Sequence, residues 1–250
     1  MRPGPPRSKL ARIANRLAMP FGVLPFPFYY PAGNPSSGSV QKVFEEIYKA
    51  NSWGSSESAS GGGSELKRTE GYRAALLNFL ERNSIQSMFD APCGDLNWMP
   101  FVLREYALDY VGGDISDTAL RLARNNLSGV NVRHFDICQD EFPPADVWQC
   151  RDALFHLSFA DAWRALANAA RSPVRLALLT THRSRWLTNL DIETGGWRFL
   201  DLEKAPFHFP KPIEYLEDTG PGEFPRYVGV WSMDTVREVV STNAQAIHSS

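Results

Sequence analysis

The sequence predicts an α/β protein in which a doubly wound, mostly parallel sheet of seven strands carries helices on both faces. Short apolar runs alternate with helical patterns from residue 69 to residue 180. Such alternation is typical of parallel strands joined by right-handed crossovers. A later apolar run at 224–231 indicates a strand that we expect to pair antiparallel with the others.

Apolar spacing locates the individual elements. Four apolar residues within 43–48 share one helical face and predict a helix that ends near Ala50. Further helices are predicted at 69–82, 99–105, 117–126 and 160–170, and strands at 87–90, 110–113, 130–135, 146–150 and 174–180. Because sites in doubly wound sheets lie at the carboxyl ends of strands, functional residues are expected there.

The composition is that of a chain with one ordinary core. Its 250 residues are 43% apolar and 22% charged, which excludes disorder, collagen-like repeats and disulfide-stapled miniproteins. Three cysteines without a CxxC pair indicate neither a disulfide framework nor a zinc site, so we expect a reducing, cytoplasmic environment. The apolar stretch 17–30 is interrupted by three prolines, so no transmembrane segment is predicted.

Charge is distributed unevenly along the chain. Of the 26 basic residues, six lie in residues 1–44, where no acid occurs, and the other 20 accompany all 28 acids, a net charge of −8. An acidic body argues against nucleic acid as the partner. We expect residues 1–39 to form a basic, Pro-rich extension and 40–250 to form the domain. Three interpretations of the extension are open: a poorly ordered segment that lies on the domain or on a partner subunit, a membrane-surface anchor, and an organelle-targeting peptide.

A Gly- and Ser-rich stretch, 53–64, follows the first helix of the predicted domain. Its composition is that of a flexible linker, yet it contains Trp53 and Glu57, and only about 50 residues precede it. The alternative is a functional loop whose glycines let backbone amides approach a ligand closely.

Three carboxylates follow three predicted strands. Asp90, Asp114 and Asp136 each lie at a carboxyl end, and each alone would be a helix cap or a solvated acid. After the first strand only Gly94 is available, which disfavours a dinucleotide-binding nicotinamide enzyme but suffices for a nucleoside without phosphates. Asp114 can accept from ribose hydroxyls and Asp136 from an adenine amine. Together the three acids predict a nucleoside site.

These strand ends resemble the class I S-adenosylmethionine-dependent methyltransferases, and within them a bacterial subgroup of saccharide and natural-product O-methyltransferases. The resemblance covers roughly 43–232. Five motifs carry it in one order: W-G-x-x-E-S-x-S-G-x-G-S at 53–64, D-A-P-C-G-D-x-x-W-M at 90–99, G-G-D-I at 112–115, C-R-D-x-x-x-H-L at 150–157 and T-G-x-W-R-x-L at 194–200. Gly62 departs from the pattern, since members often have Pro there.

The resemblance implies a Rossmann-like methyltransferase fold with S-adenosylmethionine as cofactor. It implies that Asp114 holds the ribose and that Asp136 and Ile137 frame the adenine. It also implies that the methionyl side is lined by Asp90, Cys93, Gly94 and Asp95. The loop 53–64 would be a lid or wall of the pocket. The predicted cofactor-binding residues are Trp53, Ser60, Gly61, Asp90, Cys93, Gly94, Asp95, Trp98, Asp114, Ile115, Asp136, Ile137 and Arg151.

The fourth strand end supplies candidate proton acceptors. It lacks the N/D-P-P-Y/F motif that is usual where amino groups of bases and glutamines are methylated. Asp152 and His156 are four residues apart and share a face if the chain turns helical after Arg151. We predict His156 as the general base of transfer to a hydroxyl, with Asp152 as its partner or a metal ligand. An inert, satisfied histidine and a helix N-cap are the open alternatives.

The segment 182–226 is predicted to form the acceptor side. Aromatic faces can stack on sugar rings while Arg and Asp bind the hydroxyls, so we expect a saccharide or glycosylated small molecule; packing of the tryptophans over the sheet edge stays open. The predicted acceptor contacts are His182, Trp186, Asp191, Trp197 and Arg198. Mg²⁺ held by Asp152, His182 and Asp191 is disfavoured, because their spacing is not a recognised ligand pattern.

Two further functions stay open at this point. One is a non-catalytic S-adenosylmethionine-binding module that docks on a partner through its basic N-terminal segment. The other is a methyltransferase acting on a small molecule that is not a sugar. A homodimer is compatible with either.

Overall fold

Helices and strands alternate along most of the chain. The computed structural model describes residues 9–24, 29–30 and 39–247. The helices are α1 (Lys9–Ala18), α2 (Val40–Lys49), α3 (Leu66–Arg82), α4 (Met99–Glu105), α5 (Asp117–Asn126), α6 (Phe159–Ala170) and α7 (Met233–Ile247). The strands are β1 (Tyr29–Tyr30), β2 (Ser87–Asp90), β3 (Asp109–Asp114), β4 (Val132–His134), β5 (Val147–Cys150), β6 (Leu176–His182), β7 (Trp197–Arg198), β8 (Glu214–Glu217) and β9 (Arg226–Ser232).

Seven strands form one sheet in the order β4-β3-β2-β5-β6-β9-β8. The five strands from β4 to β6 are parallel, whereas β9 pairs antiparallel with both β6 and β8. The predicted doubly wound, mostly parallel sheet with a late antiparallel strand is therefore confirmed. The strand order reverses between β2 and β5, so a crevice is expected outside their carboxyl ends.

Three parts of the fold have no counterpart in the sequence prediction. The edge strand β8 is short and its burial alternates weakly, so it lacks a clear period-2 pattern. The helix α7 packs against α6. In a separate two-stranded sheet, β1 pairs antiparallel with β7, which attaches the described part of the N-terminal segment to the domain.

Each face of the main sheet buries its own apolar cluster. On β2, Met88 joins the cluster that contains Tyr72 and Leu76 of α3, whereas Phe89 joins the cluster that contains Trp148. Successive strand residues point to opposite faces, so one short strand supplies both clusters. This two-sided burial fixes the position of Asp90, the last residue of β2.

Two glycines in β3 lie where neighbouring side chains approach the strand closely. A Cβ atom on Gly113 would lie 2.8 Å from Cβ of Phe135 and 3.0 Å from Cζ of Phe89. A Cβ atom on Gly112 would lie 2.8 Å from Cγ1 of Val132. These glycines let neighbouring aromatic and branched side chains close over the strand just before Asp114.

Alanine at Gly113 and at Gly71 should change stability in opposite directions. Gly113→Ala overpacks the core and should lower the free energy of unfolding by about 1–3 kcal/mol. Gly71 lies within α3 with no atom near its added Cβ, so Gly71→Ala should raise the free energy by about 0.5–1 kcal/mol through helix propensity. Urea unfolding followed by circular dichroism measures both, and equal midpoints for the two variants would contradict the packing argument.

Candidate functional site

A cavity of about 260 Å³ lies at the carboxyl edge of the sheet. Asp90 of β2, Asp114 of β3 and Asp136 after β4 all line it, so the structure brings the three strand-end acids together. Twelve of the thirteen predicted cofactor-binding residues contribute to its wall: Trp53, Ser60, Gly61, Asp90, Cys93, Gly94, Trp98, Asp114, Ile115, Asp136, Ile137 and Arg151.

Asp95 is the predicted residue that does not line the cavity. Its buried carboxylate accepts hydrogen bonds from Ser58 Oγ at 2.9 Å, Ala59 N at 2.8 Å and Ser60 Oγ at 2.9 Å. It therefore fastens the loop 53–64 to the turn after β2 and acts on the cavity only through that loop. The Gly- and Ser-rich stretch is accordingly a folded wall of the cavity, and the linker interpretation is wrong.

Gly94 connects this loop to the end of β3. Its φ is +63°, and a Cβ atom there would overlap Ser60 Oγ. Its amide donates to Asp114 Oδ2 at 3.0 Å, while Ser116 N donates to Oδ1 of the same carboxylate at 2.9 Å. Only glycine permits both the left-handed backbone and the close approach of the loop.

Burial controls the ionisation of two cavity acids. It raises the pKa of Asp90 to about 7, although Gln149, the Tyr110 hydroxyl at 2.8 Å and the charge of Arg151 oppose the shift. Burial also raises the pKa of Asp114 to about 6, against the two backbone amides that bind its carboxylate. A cation placed beside Asp90 would favour its ionised form.

Trp53 forms an aromatic wall between α2 and the end of β5. Its ring centroid lies 5.2 Å from that of Tyr48 and 5.2 Å from that of His156. A Cβ atom on Gly61, whose φ is +87°, would lie 2.9 Å from Trp53 Cβ. The loop glycine thus gives the indole its place against the cavity.

Glu45 fixes α2 over the site, a role that sequence reasoning missed. Its carboxylate accepts from Ser116 Oγ at 2.6 Å, Thr118 Oγ1 at 2.8 Å and Thr118 N at 3.1 Å at the start of α5. Burial raises the pKa of Glu45, but these hydrogen bonds outweigh it and lower the pKa to about 2. The available signal was an acid on α2 and a Ser-Asp-Thr helix start that begins 71 residues later, and no local pattern connects the two.

A buried ion cluster supports the β5 side of the cavity. Arg151, which follows β5, donates to both carboxylate oxygens of Asp218 at 3.0 Å and to the carbonyl of Gly63 at 2.9 Å. Arg226 of β9 donates to the same carboxylate at 3.4 Å, and Arg68 of α3 donates to the Asp218 carbonyl at 2.7 Å. The Asp218 side chain is fully buried, so its charge is balanced within the protein.

Asp152 binds arginines, and the chain does not turn helical after Arg151, which was the condition for a helical face shared with His156. Its φ is +55°, and its carboxylate lies 3.0 Å from Arg226 Nη1 and 3.3 Å from Arg151 Nη1. Burial raises the pKa of Asp152, but the guanidinium charges prevail and hold it below its usual range. His156 ends a short 3-10 turn over Leu154–His156, and its Nδ1 donates to the carbonyl of Gly196 at 2.7 Å.

His156 is a neutral imidazole that lines the same cavity as Asp152. Burial lowers the pKa of His156 to about 4, against the Gly196 hydrogen bond and the charge of Asp152. Because Nδ1 carries the proton that binds Gly196, Nε2 has a lone pair that can accept another. At neutral pH the ring is therefore unprotonated at Nε2 and available as a weak proton acceptor.

Of the five predicted acceptor contacts, Trp197 lines the cavity. Arg198 does not: it is buried and donates to the carbonyls of Leu157 at 2.6 Å and Leu154 at 3.4 Å, so it supports the turn before α6. His182 is also buried, accepts from Leu200 N at 3.2 Å, and packs among aromatic rings. Neither residue lines the cavity, and both side chains make hydrogen bonds and packing contacts within the protein.

Trp186 and Asp191 lie outside the main cavity as well. Trp186 is exposed at the surface. Asp191 Oδ1 accepts from Phe159 N at 2.7 Å at the start of α6, and the residue lines a second, more open cavity of about 830 Å³. Within the described ranges, no three His, Cys, Asp or Glu side chains come together as a metal site. Asp152, His182 and Asp191 each have separate partners.

Neutralising Asp218 should be far more damaging than neutralising a surface acid. Asp218→Asn leaves buried guanidiniums without their carboxylate and should lower the free energy of unfolding by about 3–5 kcal/mol. Glu214→Gln removes the surface pair with Arg82 and should cost less than about 1 kcal/mol. Urea titration of both variants tests this, and a similar small loss in each would show that the cluster does not support the fold.

Solved structures that are similar to this chain include three methyltransferases. Magnesium protoporphyrin IX methyltransferase (ChlM) from Synechocystis PCC 6803 with bound SAM is 12% identical, with a TM-score of 0.55 over 80% of this chain and 99% of that chain. The methyltransferase domain of bacterial CtHen1-CN is 14% identical, with a TM-score of 0.51 over 67% and 100%. Mitomycin 7-O-methyltransferase MmcR is 17% identical, with a TM-score of 0.56 over 79% and 61%.

Searches among protein families and curated proteins give no match. At these levels of identity the structural likeness concerns the fold. The chain has the Rossmann-like fold of these methyltransferases, with its cavity at the carboxyl edge of the sheet.

Proposed function

We propose that the chain is an S-adenosylmethionine-dependent methyltransferase that modifies a hydroxyl of a sugar or glycosylated small molecule. The observation that carries the proposal is the meeting of Asp90, Asp114 and Asp136 in one cavity outside three adjacent parallel strands. The same fold occurs in a methyltransferase whose structure contains the cofactor. The five ordered sequence motifs support the same conclusion.

The cavity residues fit the chemical groups of the cofactor. Asp90 offers a carboxylate for an amino group, and its high pKa falls when a cation is near. Each carboxylate oxygen of Asp114 accepts one hydrogen bond from a backbone amide, and its remaining lone pairs can accept from ribose hydroxyls. Asp136 offers a carboxylate to an adenine amine, and Ile115 and Ile137 add apolar side chains to the lining of the same cavity.

S-adenosylmethionine would supply a methyl group on a positively charged sulfur, and in-line attack by an acceptor oxygen would break the carbon–sulfur bond and release S-adenosylhomocysteine. As that oxygen gains a bond it becomes cationic and its proton becomes strongly acidic, so a weak base is sufficient. His156 Nε2 takes this proton, and the Asp152 carboxylate on the same wall favours the resulting imidazolium. The rings of Trp53 and Phe155, which flank His156, exclude water.

A saccharide acceptor is supported by the mixed character of this wall. Trp197 and Phe155 supply aromatic surface on which the C–H groups of a sugar ring can pack. Asp152 and Arg226 supply a carboxylate and a guanidinium for hydroxyl groups. Mitomycin 7-O-methyltransferase MmcR has the same fold and by its name methylates an oxygen, which supports the proposed transfer to a hydroxyl.

Calorimetry and product detection test the two parts of the proposal separately. S-adenosylmethionine and S-adenosylhomocysteine should each bind with a Kd below the millimolar range; absence of binding for both would end the cofactor assignment. Transfer of a labelled methyl group should then occur to members of a saccharide panel and leave O-methyl products. Labelled products confined to non-sugar alcohols or to amines would overturn the acceptor assignment while keeping the cofactor.

Cofactor affinity should fall as the pH decreases through about 7. Asp90 is protonated below its raised pKa of about 7 in the free protein and must lose that proton to bind a cationic amino group. From about pH 8 to about pH 6, the affinity of the wild type for S-adenosylhomocysteine should drop about twentyfold, about tenfold from protonation of Asp90 and about twofold from protonation of Asp114, whose pKa is about 6. At the higher pH, Asp90→Asn should bind S-adenosylhomocysteine more weakly than the wild type does. Between the two pH values its affinity should fall no more than about twofold, which is the contribution of Asp114. A full tenfold loss in Asp90→Asn would remove Asp90 from this role.

His156→Asn separates base function from positioning. The Asn side chain can still donate to the Gly196 carbonyl but carries no basic nitrogen, so kcat should fall at least about 100-fold with cofactor affinity unchanged. His208→Asn is the matched control, because His208 lies outside the cavity at φ +51°, a conformation that Asn tolerates. Steady-state kinetics with a saccharide acceptor measures both, and near-normal turnover of His156→Asn would exclude the imidazole as base.

A further inference from the structure

The N-terminal helix presents large apolar side chains to solvent. Leu10 is 79% exposed, Leu17 is 69% exposed, and Phe21, in the turn that follows α1, is 82% exposed. Ile13 is exposed as well. Single exposed leucines are ordinary, but a contiguous apolar surface of this kind marks an interaction site.

The exposed residues form one stripe along the helix. Positions 10, 13 and 17 follow the spacing of one helical face, whereas Ala11 and Asn15 on the other side are buried. The helix therefore turns its small residues inward and its large apolar residues outward. This orientation is the reverse of a helix that contributes to a soluble core.

The protein holds this stripe in a fixed place. The Gly22 carbonyl accepts a hydrogen bond from Ser184 Oγ, and Met19 and Leu24 pack against the cluster of Leu187, Phe199 and Phe224. Trp186 follows Ser184 by two residues and is 66% exposed. An indole at the same end of the molecule thus adds to the exposed apolar surface.

The charge around the stripe selects the partner. Arg16 is exposed on α1, Arg185 lies 5.2 Å from the Trp186 ring, and residues 1–44 contain no acid. The rest of the chain has a net charge of −8. An anionic surface is therefore attracted at this end and repelled by the body, and apolar residues flanked by basic ones are typical of helices that lie in the headgroup region of a membrane.

We propose that the N-terminal patch, defined as Leu10, Ile13, Leu17, Phe21 and Trp186, inserts into the headgroup region of an anionic lipid bilayer. Attachment is peripheral, since none of the helices in the described ranges is long and apolar enough to cross a membrane. Binding requires both apolar insertion and the basic residues beside it. The proposal does not depend on the proposed catalytic function, because no patch residue lines the cavity.

Vesicle co-sedimentation of the full chain tests this assignment. The protein should sediment with vesicles of phosphatidylcholine mixed with phosphatidylglycerol, stay in solution with phosphatidylcholine alone, and be released by high salt. Leu17→Glu and Phe21→Glu should each weaken binding to the mixed vesicles at least about tenfold. Unchanged binding of these variants, or equal binding to neutral vesicles, would overturn the proposal.

Ile213→Glu provides a matched control for the added charge. Ile213 is 70% exposed, and its amide donates to the Val230 carbonyl. Val230 lies toward the amino end of β6, whereas His182, which pairs with Arg226, lies at the carboxyl end. This variant should bind vesicles like the wild type. Urea midpoints of all variants establish that each is folded. If the wild type instead self-associates without lipid and Leu17→Glu disperses it, while vesicle binding is absent, the patch joins two copies of the chain and the membrane assignment is wrong.

Discussion

The carboxylate of Asp218 holds arginines from three separate elements, and the shape of the cavity depends on this interaction. Arg68 belongs to α3, Arg226 to β9, and Arg151 follows β5. Charges removed from water are tolerated only when each is paired and hydrogen-bonded. Through Arg151 the cluster also binds the Gly63 carbonyl, so the loop over the cavity and the strand end beneath it share one electrostatic support.

Local sequence patterns predict most of the parallel sheet and its strand-end acids, because alternating apolar runs reflect burial directly. They do not predict the ion cluster, since Arg68 and Asp218 are 150 positions apart and no periodicity relates them. The helical face predicted for Asp152 and His156 depended on a helix after Arg151, which the chain does not form. Two arginines instead draw the Asp152 carboxylate away, at a positive φ that no regular helix contains.

Burial of Asp90 has an electrostatic cost for the free protein. A carboxyl group whose pKa is raised in the folded state adds to stability below its unfolded pKa, near 3.8, and that contribution is lost as the pH rises through about 7. Above that pH the ionised, buried acid opposes folding. A bound cation would reverse this effect, so the same desolvation that weakens the free protein makes the site selective for a positively charged ligand.

Pairing of β1 with β7 has a consequence for where the domain begins. The change from basic to acidic sequence near Glu45 suggests a boundary, yet the backbone of Tyr29 and Tyr30 pairs with Trp197 and Arg198, next to the cavity wall. A chain shortened to 40–250 would lose this strand pairing and expose part of the cluster around Phe199 and Phe224. Measured by packing, the described residues 19–24 and 29–30 belong with the domain, and the boundary in charge is not a boundary in structure.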